Sequence, residues 1–480
     1  MSLVESVADI PAADGLGRVH LMGVGGAGMS GLARILLSRG RAVSGSDAKD
    51  SPVLAALRAL GADVHVGHAA AHLPATTRLV VTTPASIRDT NPELVEAHRR
   101  GLRVVPRAAV LAALMADRRG VAVAGTHGKT STTTMLTVAA QHCGVDPSFA
   151  IGGDPQDVGG TSAHHGSGEL FVAEADESDS TFLLLRPYAG VVTNIEADHL
   201  DHFGSVAAVH AAFLAFARTV TGFLVCGVDD PGAAALAAVA AGGGTRVVTY
   251  GTRDGADLRL TGIRPDGDGT AYQAAYRGAD LGTVRLRVPG AHMAANSAAA
   301  LLTGLELGLP PADLVEGLAT YSGVRRRFEF KGDAAGVRVY DDYAHHPTEI
   351  ATQLEVARQV AGGGRVVAVF QPHLYSRTAA FAGEFGKALG VADEVVVMEV
   401  YAAREDPVPG VTGALVAQSV PGRGVIFEPS WSAVPAVVAG LVKPGDLVVT
   451  LGAGDVTMIG PEVLAALRSG SRSRDPGPVG

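Results

Sequence analysis

The chain has 480 residues, 47% of them hydrophobic and 5% aromatic, with 62 glycines and a formal net charge of −9. This balance excludes a disordered or fibrous chain, and an acidic total without a basic run argues against a nucleic-acid surface as the main role. No run of about 18 apolar residues offers a membrane span, residues 1–15 carry no basic-then-apolar leader, and two widely spaced cysteines, Cys143 and Cys226, read as small buried hydrophobes of a reducing compartment. The expected home is the cytoplasm. Length suggests about three domains. The pattern divides them as 1–118, 119–324 and 325–465, with a Gly/Pro/Ser/Arg-rich tail, 466–480, expected to be disordered.

The first segment opens with "VHLMG", a glycine cluster, helix-like "MSGLARILLSRG" and then "AVSGSD". That is a βαβ unit. Gly23, Gly25 and Gly28 fit G-x-G-x-x-G, and Asp47 follows about 20 residues later, as a dinucleotide-binding fingerprint requires. "LVVTTPASIRDTNPELVEAHRRG" and "RVVPRAAVLAALMADRRG" continue the strand–helix alternation. All three segments repeat this theme, so the fold class is α/β, each domain a largely parallel sheet with flanking helices.

The second segment begins "GVAVAGTHGKTSTTTMLTVAAQ". A phosphate loop needs glycines for close backbone approach, a lysine for phosphate charge and a Ser or Thr hydroxyl for Mg²⁺. Gly125, Gly128, Lys129 and Thr130 come in that order after a strand, with only Thr126 and His127 between the glycines. Lysine is rare here: the five are Lys49, Lys129, Lys331, Lys387 and Lys443. Three further strands, in "ELFVAEADESD", "AGVVTNIEADHLDHFG" and "GFLVCGVDDP", end in acidic or histidine clusters. Ligands sit at the carboxyl ends of strands in open α/β sheets, so loop and clusters are expected to share one crevice. Glu174 and His199 are the candidate metal ligands. The third segment repeats the theme in "VRVYDDYAHHPTEI", "RVVAVFQPHLYSRT", "DEVVVMEV" and "DLVVTLGAGDV".

"GTHGKTSTT", "EADESD", "TNIEADHLDHF", "VPGAHMAANSAAA", "GVRRRFE", "YDDYAHHPTEI" and "FQPHLYSRT" together resemble the Mur ligase family over residues 18–463. These enzymes use ATP to add amino acids to the UDP-sugar precursor of peptidoglycan. "VGGAGMSG", "DDYAHHP" and "QPHLYSR" are similar to the branch that adds the first residue, L-alanine, to UDP-N-acetylmuramate. The resemblance implies an N-terminal Rossmann-like UDP-sugar domain, a central P-loop-like ATP domain and a C-terminal Rossmann-like amino-acid domain. It implies ATP and Mg²⁺, no nucleic-acid or membrane partner, and a monomer or homodimer. ATP would be held by Gly125, Thr126, His127, Gly128, Lys129, Thr130 and Ser131, with His292 and Asn296 beside the adenine, Arg327 near phosphate and Asp342 on the ribose. Mg²⁺ would be held by Thr130, Glu174 and His199. The UDP-sugar would lie on Gly23, Gly25, Gly26, Gly28, Met29, Ser30 and Asp47. The amino acid would meet His346, His373 and Arg377. The catalytic roles fall to Lys129, His199, Arg327 and His346. Two residues depart from the family pattern: Met293 stands where Asn often follows the histidine, and Leu374 where an arginine often precedes "YSR". No lysine lies between Lys129 and Lys331, so a carbamylated lysine of the kind some sibling ligases use is not expected.

Overall fold

The computed structural model describes residues 10, 13–83, 89–403, 405–422 and 424–472. Most of residues 1–12 and the last eight residues of the tail therefore lie outside the described residues, as does 84–88 between the strand and helix of "LVVTTPASIRDTNPELV".

Three sheets carry the fold. The first has strands β1 (Arg18–Met22), β2 (Val43–Asp47), β3 (Asp63–Val66), β4 (Thr77–Thr82) and β5 (Arg103–Pro106), ordered 3-2-1-4-5 and parallel throughout. The second has β6 (Arg119–Ala124), β7 (Ser148–Ala150), β8 (Ala163–His164), β9 (Leu170–Glu174), β10 (Ala189–Val192), β11 (Phe223–Gly227), β12 (Val247–Gly251), β13 (Leu258–Asp266), β14 (Gly269–Tyr276) and β15 (Ala279–Leu286). Their order is 15-14-13-12-11-10-6-9-7-8. The third has β16 (Glu329–Ala334), β17 (Val337–Asp342), β18 (Val366–Phe370), β19 (Glu394–Val397), β20 (Val425–Phe427) and β21 (Leu447–Leu451), ordered 16-17-21-18-19-20.

The central strands are short, uninterrupted apolar runs such as "FLVCG" and "VVAVF", fully buried as parallel strands covered on both faces should be. The edges differ. β13, β14 and β15 pair antiparallel, as do β7 with β8 and β16 with β17. The β13–β15 meander was not foreseen. Its signals were present: buried and exposed residues alternate along β13, and turns fall at Gly267 and Gly278, both at positive φ.

Contacts divide the chain into two compact units, Met1–Ser322 and Gly323–Gly480. In the first, one apolar core runs from Leu21, Ile35 and Leu111 through Phe171 and Phe213 to Leu236, so the first two sheets share it. Helix Ala27–Ser38 packs closely on β8 at Gly31, where a Cβ would lie 3.0 Å from that of Ala163, tighter than ordinary contact. In the second unit, two apolar clusters cover opposite faces of the sheet, one around Phe370 and Phe385, the other around Val369 and Val463.

Two expectations are corrected. The tail does not begin at 466: helix Ile459–Arg472 runs past it, because Val463, Leu464 and Leu467 anchor its apolar face. Of the two cysteines, Cys226 is buried in β11, whereas Cys143 caps a helix and is half-buried. No helix among the described residues is long and apolar enough to cross a membrane.

Candidate active site

β6 delivers the chain into Gly125–Gly128, and helix Lys129–His142 starts at once. Both glycines are required where they stand. Gly125 has φ 133° and a side chain there would strike Thr193; Gly128 has φ 83° and would strike the Asn296 carboxamide. The loop after β10, the strand beside β6, stitches this turn in place. Thr126 N–H donates to Asn194 O (3.0 Å), His127 N–H to Asn194 Oδ1 (2.8 Å) and Glu196 N–H to Thr126 Oγ1 (2.9 Å). Thr193 Oγ1 donates to His127 O at 2.6 Å. Thr193, Asn194 and Glu196, all just after β10, thus hold the short turn.

Lys129 folds back into its own turn. Its Nζ donates to Gly125 O (2.7 Å), Thr126 O (3.2 Å) and Glu177 Oε1 (2.9 Å). Burial alone would lower its pKa, but the charges of Glu177, Asp176 and Glu174 outweigh this and hold it above the ordinary value. Burial pushes the Glu177 carboxyl up to about 7, with the Lys129 ammonium opposing. Thr130 Oγ1 donates to Glu174 Oε1 at 3.1 Å, and Glu174 also accepts from Gly152 N–H at 2.8 Å. Ser131 is nearly wholly buried in the first helical turn. His199 lies further along the loop after β10, at φ 52°, with Nε2 3.6 Å from Asp198. Helix Ala291–Glu306 carries His292 and Asn296; Met293 is buried there, its sulfur 3.9 Å from the Asn296 amide nitrogen.

The glycine loop after β1 opens a cleft of about 490 Å³. Gly23, Gly26, Gly28, Met29 and Asp47 line one side with His68 and Arg107; Gly152, Ser162, Glu174 and Asp176 line the other. The glycine loop and the carboxylate beside Thr130 therefore face one space. Two of the expected residues do not line it. Gly25 is spent on architecture, its N–H bonded to Asp47 Oδ2 at 2.9 Å, and Ser30 turns back to Ala27 O at 3.1 Å. Behind His68 lies a buried network that the sequence reading missed. Glu93 is fully buried and accepts from Ser46 Oγ at 2.5 Å; His20 Nε2 lies 3.3 Å away, and Ser46 Oγ is 2.8 Å from His68 Nδ1. Burial opposes charge on Glu93, but the bonds from His20 and Ser46 hold its carboxyl below the usual range.

In the second unit the predicted residues gather at the carboxyl edge of the sheet. Asp342 ends β17 fully buried and accepts from Phe328 N–H and Ala344 N–H, both at 2.7 Å. Burial pushes its carboxyl up to about 7 against the charge of Arg327 and those two bonds. Arg327 lies 4.0 Å from Glu349 and over the Tyr343 ring. Arg326 beside it is a structural clamp, donating to Gly452 O (2.6 Å) and Gly454 O (3.0 Å). His346 caps helix Pro347–Ala361 and is 6% exposed. His345, passed over in the sequence, faces His373 at 6.0 Å between rings; His373 stacks on Tyr401 and lies 3.5 Å from Arg377 Nη1. Leu374 is a buried residue at φ 70° that starts helix Tyr375–Leu389, so it forms no part of a polar grip.

Three family models match in chain order: Mur ligase family, catalytic domain (18–119), Mur ligase middle domain (123–304) and Mur ligase, glutamate ligase domain (326–454). The UDP-N-acetylmuramate–L-alanine ligase of Saccharopolyspora erythraea is 58% identical over 98% of this chain and 97% of its own. That of Acidothermus cellulolyticus is also 58% identical, over 94% of this chain and 95% of its own. Among solved structures, the UDP-N-acetylmuramate–alanine ligase of Thermotoga maritima aligns with a TM-score of 0.80 at 29% identity, covering 94% of this chain and 99% of that one. A murein peptide ligase from Psychrobacter arcticus aligns at 0.69 and 26% identity, with the same coverages of 94% and 99%. The β6 loop, the carboxylates after β9 and the His/Arg edge of the third sheet thus stand in a chain that belongs to the Mur ligase family.

Proposed function

We propose that this chain is an ATP-dependent ligase of peptidoglycan synthesis that joins L-alanine to the lactyl carboxylate of UDP-N-acetylmuramate, releasing ADP and phosphate. The observation that carries this reading is the shared cleft: a diphosphate-type glycine loop forms one wall, and Glu174, bonded to Thr130 of the phosphate loop, forms the other. A UDP-sugar seated on the first wall points its carboxylate toward the second. A carboxylate is a poor electrophile. Its oxygen therefore attacks the γ-phosphorus of ATP, the bond from phosphorus to the β–γ bridging oxygen breaks, and ADP leaves. The alanine amine then adds to the acyl carbon and phosphate is expelled with the original carboxylate oxygen. Such phosphoryl transfer rests on positioning and charge neutralisation. Lys129 supplies a cation that its carboxylate neighbours keep protonated, and Arg377 supplies a fork for the alanine carboxylate.

The donor set suits Mg²⁺: the Thr130 hydroxyl and the Glu174 carboxylate are hard oxygen ligands in contact with each other, and His199 stands on the adjoining loop. When bound, the cation would neutralise phosphate charge. The reading is tested by phosphate release from ATP in the presence of UDP-N-acetylmuramate and each of several amino acids. Release should require both the sugar and an amino acid, with L-alanine preferred. Release that ignores the sugar, or that favours a tripeptide over L-alanine, would overturn it.

A further inference from the structure

Glu93 sits in the first turn of helix Pro92–Arg99, where an acidic side chain ordinarily faces water beside the unbonded N–H groups. Here it is fully buried and ties several elements together. Its Oε2 accepts from Ser46 Oγ at the end of β2 and lies 3.3 Å from His20 Nε2 of β1; its Oε1 accepts from Ala69 N–H at 3.3 Å and lies 3.5 Å from His72 Nδ1. Burial opposes charge on this carboxyl, and the bonds from His20 and Ser46 outweigh it. A buried carboxylate is unfavourable unless its oxygens are bonded, and donors from this many elements hold it in one place.

The network sets the direction of a chain of hydrogen bonds that ends in the cleft. An ionised carboxylate only accepts. The one hydroxyl proton of Ser46 therefore goes to Glu93 Oε2, 2.5 Å away, and the Ser46 oxygen is left to accept. His68 Nδ1 lies 2.8 Å from that oxygen, so Nδ1 is the donor. Neutral imidazole carries one ring proton, so His68 is the Nδ1–H tautomer and its Nε2 presents a lone pair. The two ring nitrogens point apart. Nδ1 turns inward to Ser46 while His68 lines the cleft, so Nε2 is the nitrogen left for a ligand. Gly67 N–H donates to Asp47 O at 2.7 Å, which sets His68 beside Asp47 on the same wall. The acidic residue of such a glycine fingerprint takes a ribose hydroxyl, so His68 stands at the nucleoside end of the cleft.

Resting on the UDP-sugar reading above, we propose that Glu93 is a positioning residue: acting through Ser46, it holds His68 in the tautomer whose Nε2 accepts an N–H or O–H of the substrate's nucleoside, either the uracil imide or a ribose hydroxyl. Glu93 itself lies behind the cleft wall. Its isosteric amide reverses the chain. In E93Q the carboxamide oxygen answers Ala69 N–H, and the two N–H bonds of the amide go to Ser46 and His20, which both faced Oε2. The Ser46 proton then turns to His68 Nδ1. His68 becomes the Nε2–H tautomer and meets the ligand's donor with a donor.

Two measurements on the full-length chain test this. Long-range ¹H–¹⁵N correlation reads the His68 tautomer, assigned by its loss in H68A. Calorimetry reads UDP binding by wild type, E93Q, H68A and the double variant, with thermal melts as the check on folding. Wild type should show Nδ1–H and E93Q Nε2–H. E93Q should weaken UDP about tenfold, as expected when a bonded group is left facing its like, but by no more than about twofold on the H68A background. N3-methyl-UDP lacks the imide N–H and 2′,3′-dideoxy-UDP lacks both ribose hydroxyls; the analogue without the bonded group should bind wild type and E93Q alike. A general structural role would weaken all three ligands equally and act just as strongly on the H68A background, and either result overturns the proposal. So does an Nε2–H tautomer in wild type, which decides the matter even where E93Q fails to fold. These outcomes leave the UDP-sugar site in place, whereas failure of wild type to bind UDP overturns both.

Discussion

Lys129 shows how far one residue can be argued. Its ammonium is held by two carbonyls of its own loop and by Glu177, so in this structure it occupies the turn that would cradle phosphate. Removing it does not strand a buried anion, because burial already pushes Glu177 up to about 7 and a proton can replace the lysine. Lys129→Ala should therefore fold, bind UDP-N-acetylmuramate as before, and lose at least about 100-fold in kcat, the scale for one charge-stabilising group. Parallel calorimetry and turnover check this; joint loss of sugar binding would assign the loop to the sugar. Arg377 makes the second residue-level prediction. It lies 3.5 Å from His373 at the edge where Tyr401 and His345 also gather, and Leu374 offers no second cation. Arg377→Ala should raise the KM for L-alanine about tenfold, equivalent to ~1.5 kcal/mol for a charged hydrogen bond, with little change in the KM for ATP or UDP-sugar. A rise in all three would mean that Arg377 supports the fold. Both residues were legible because their types are rare or their motif is specific. His345 and Glu177 were not. Their roles come from what they touch, and nothing in their local spacing announces a partner tens of residues away.

At the scale of elements, the phosphate loop depends on what seats its helix. Helix Pro311–Thr320 packs on helix Lys129–His142 at Gly317, where a Cβ would lie 2.8 Å from the Ala139 Cα. Backbone cannot yield as a side chain can, so Gly317→Ala should destabilise by about 1–3 kcal/mol, more than the helix propensity it gains. A urea titration reads this; an unchanged midpoint would show that the helices part freely. In the second unit Asp342 pins the turn before β16 and the loop after β17 to one strand end. Burial raises its carboxyl from 3.8 to about 7, so its protonated form favours the folded state. That contribution is complete below the unfolded value and is lost as pH rises through about 7. Asp342→Asn should melt with a flatter pH dependence than wild type across this window. Equal slopes would contradict the assignment. The strand–helix units around both sites were readable from apolar runs and turn residues. The β13–β15 meander was not, because its exposed face dilutes the apolar signal to a weak alternation.

The whole molecule joins these elements through chemistry. Three sheets follow the three segments expected from the sequence, yet the first two share one core and form one compact unit. That sharing could not be read in advance, since it depends on close contacts such as Gly31 against Ala163. It makes one cleft out of two motifs lying about 100 residues apart, and the proposed reaction follows from that cleft. The most direct test follows the carboxylate oxygen. UDP-N-acetylmuramate labelled with ¹⁸O in its lactyl carboxylate is incubated with the enzyme, ATP and L-alanine, and the released phosphate is analysed by mass spectrometry. Attack of the carboxylate on the γ-phosphorus predicts one ¹⁸O in each phosphate formed and none in ADP. Label in AMP, or phosphate without label, would contradict it.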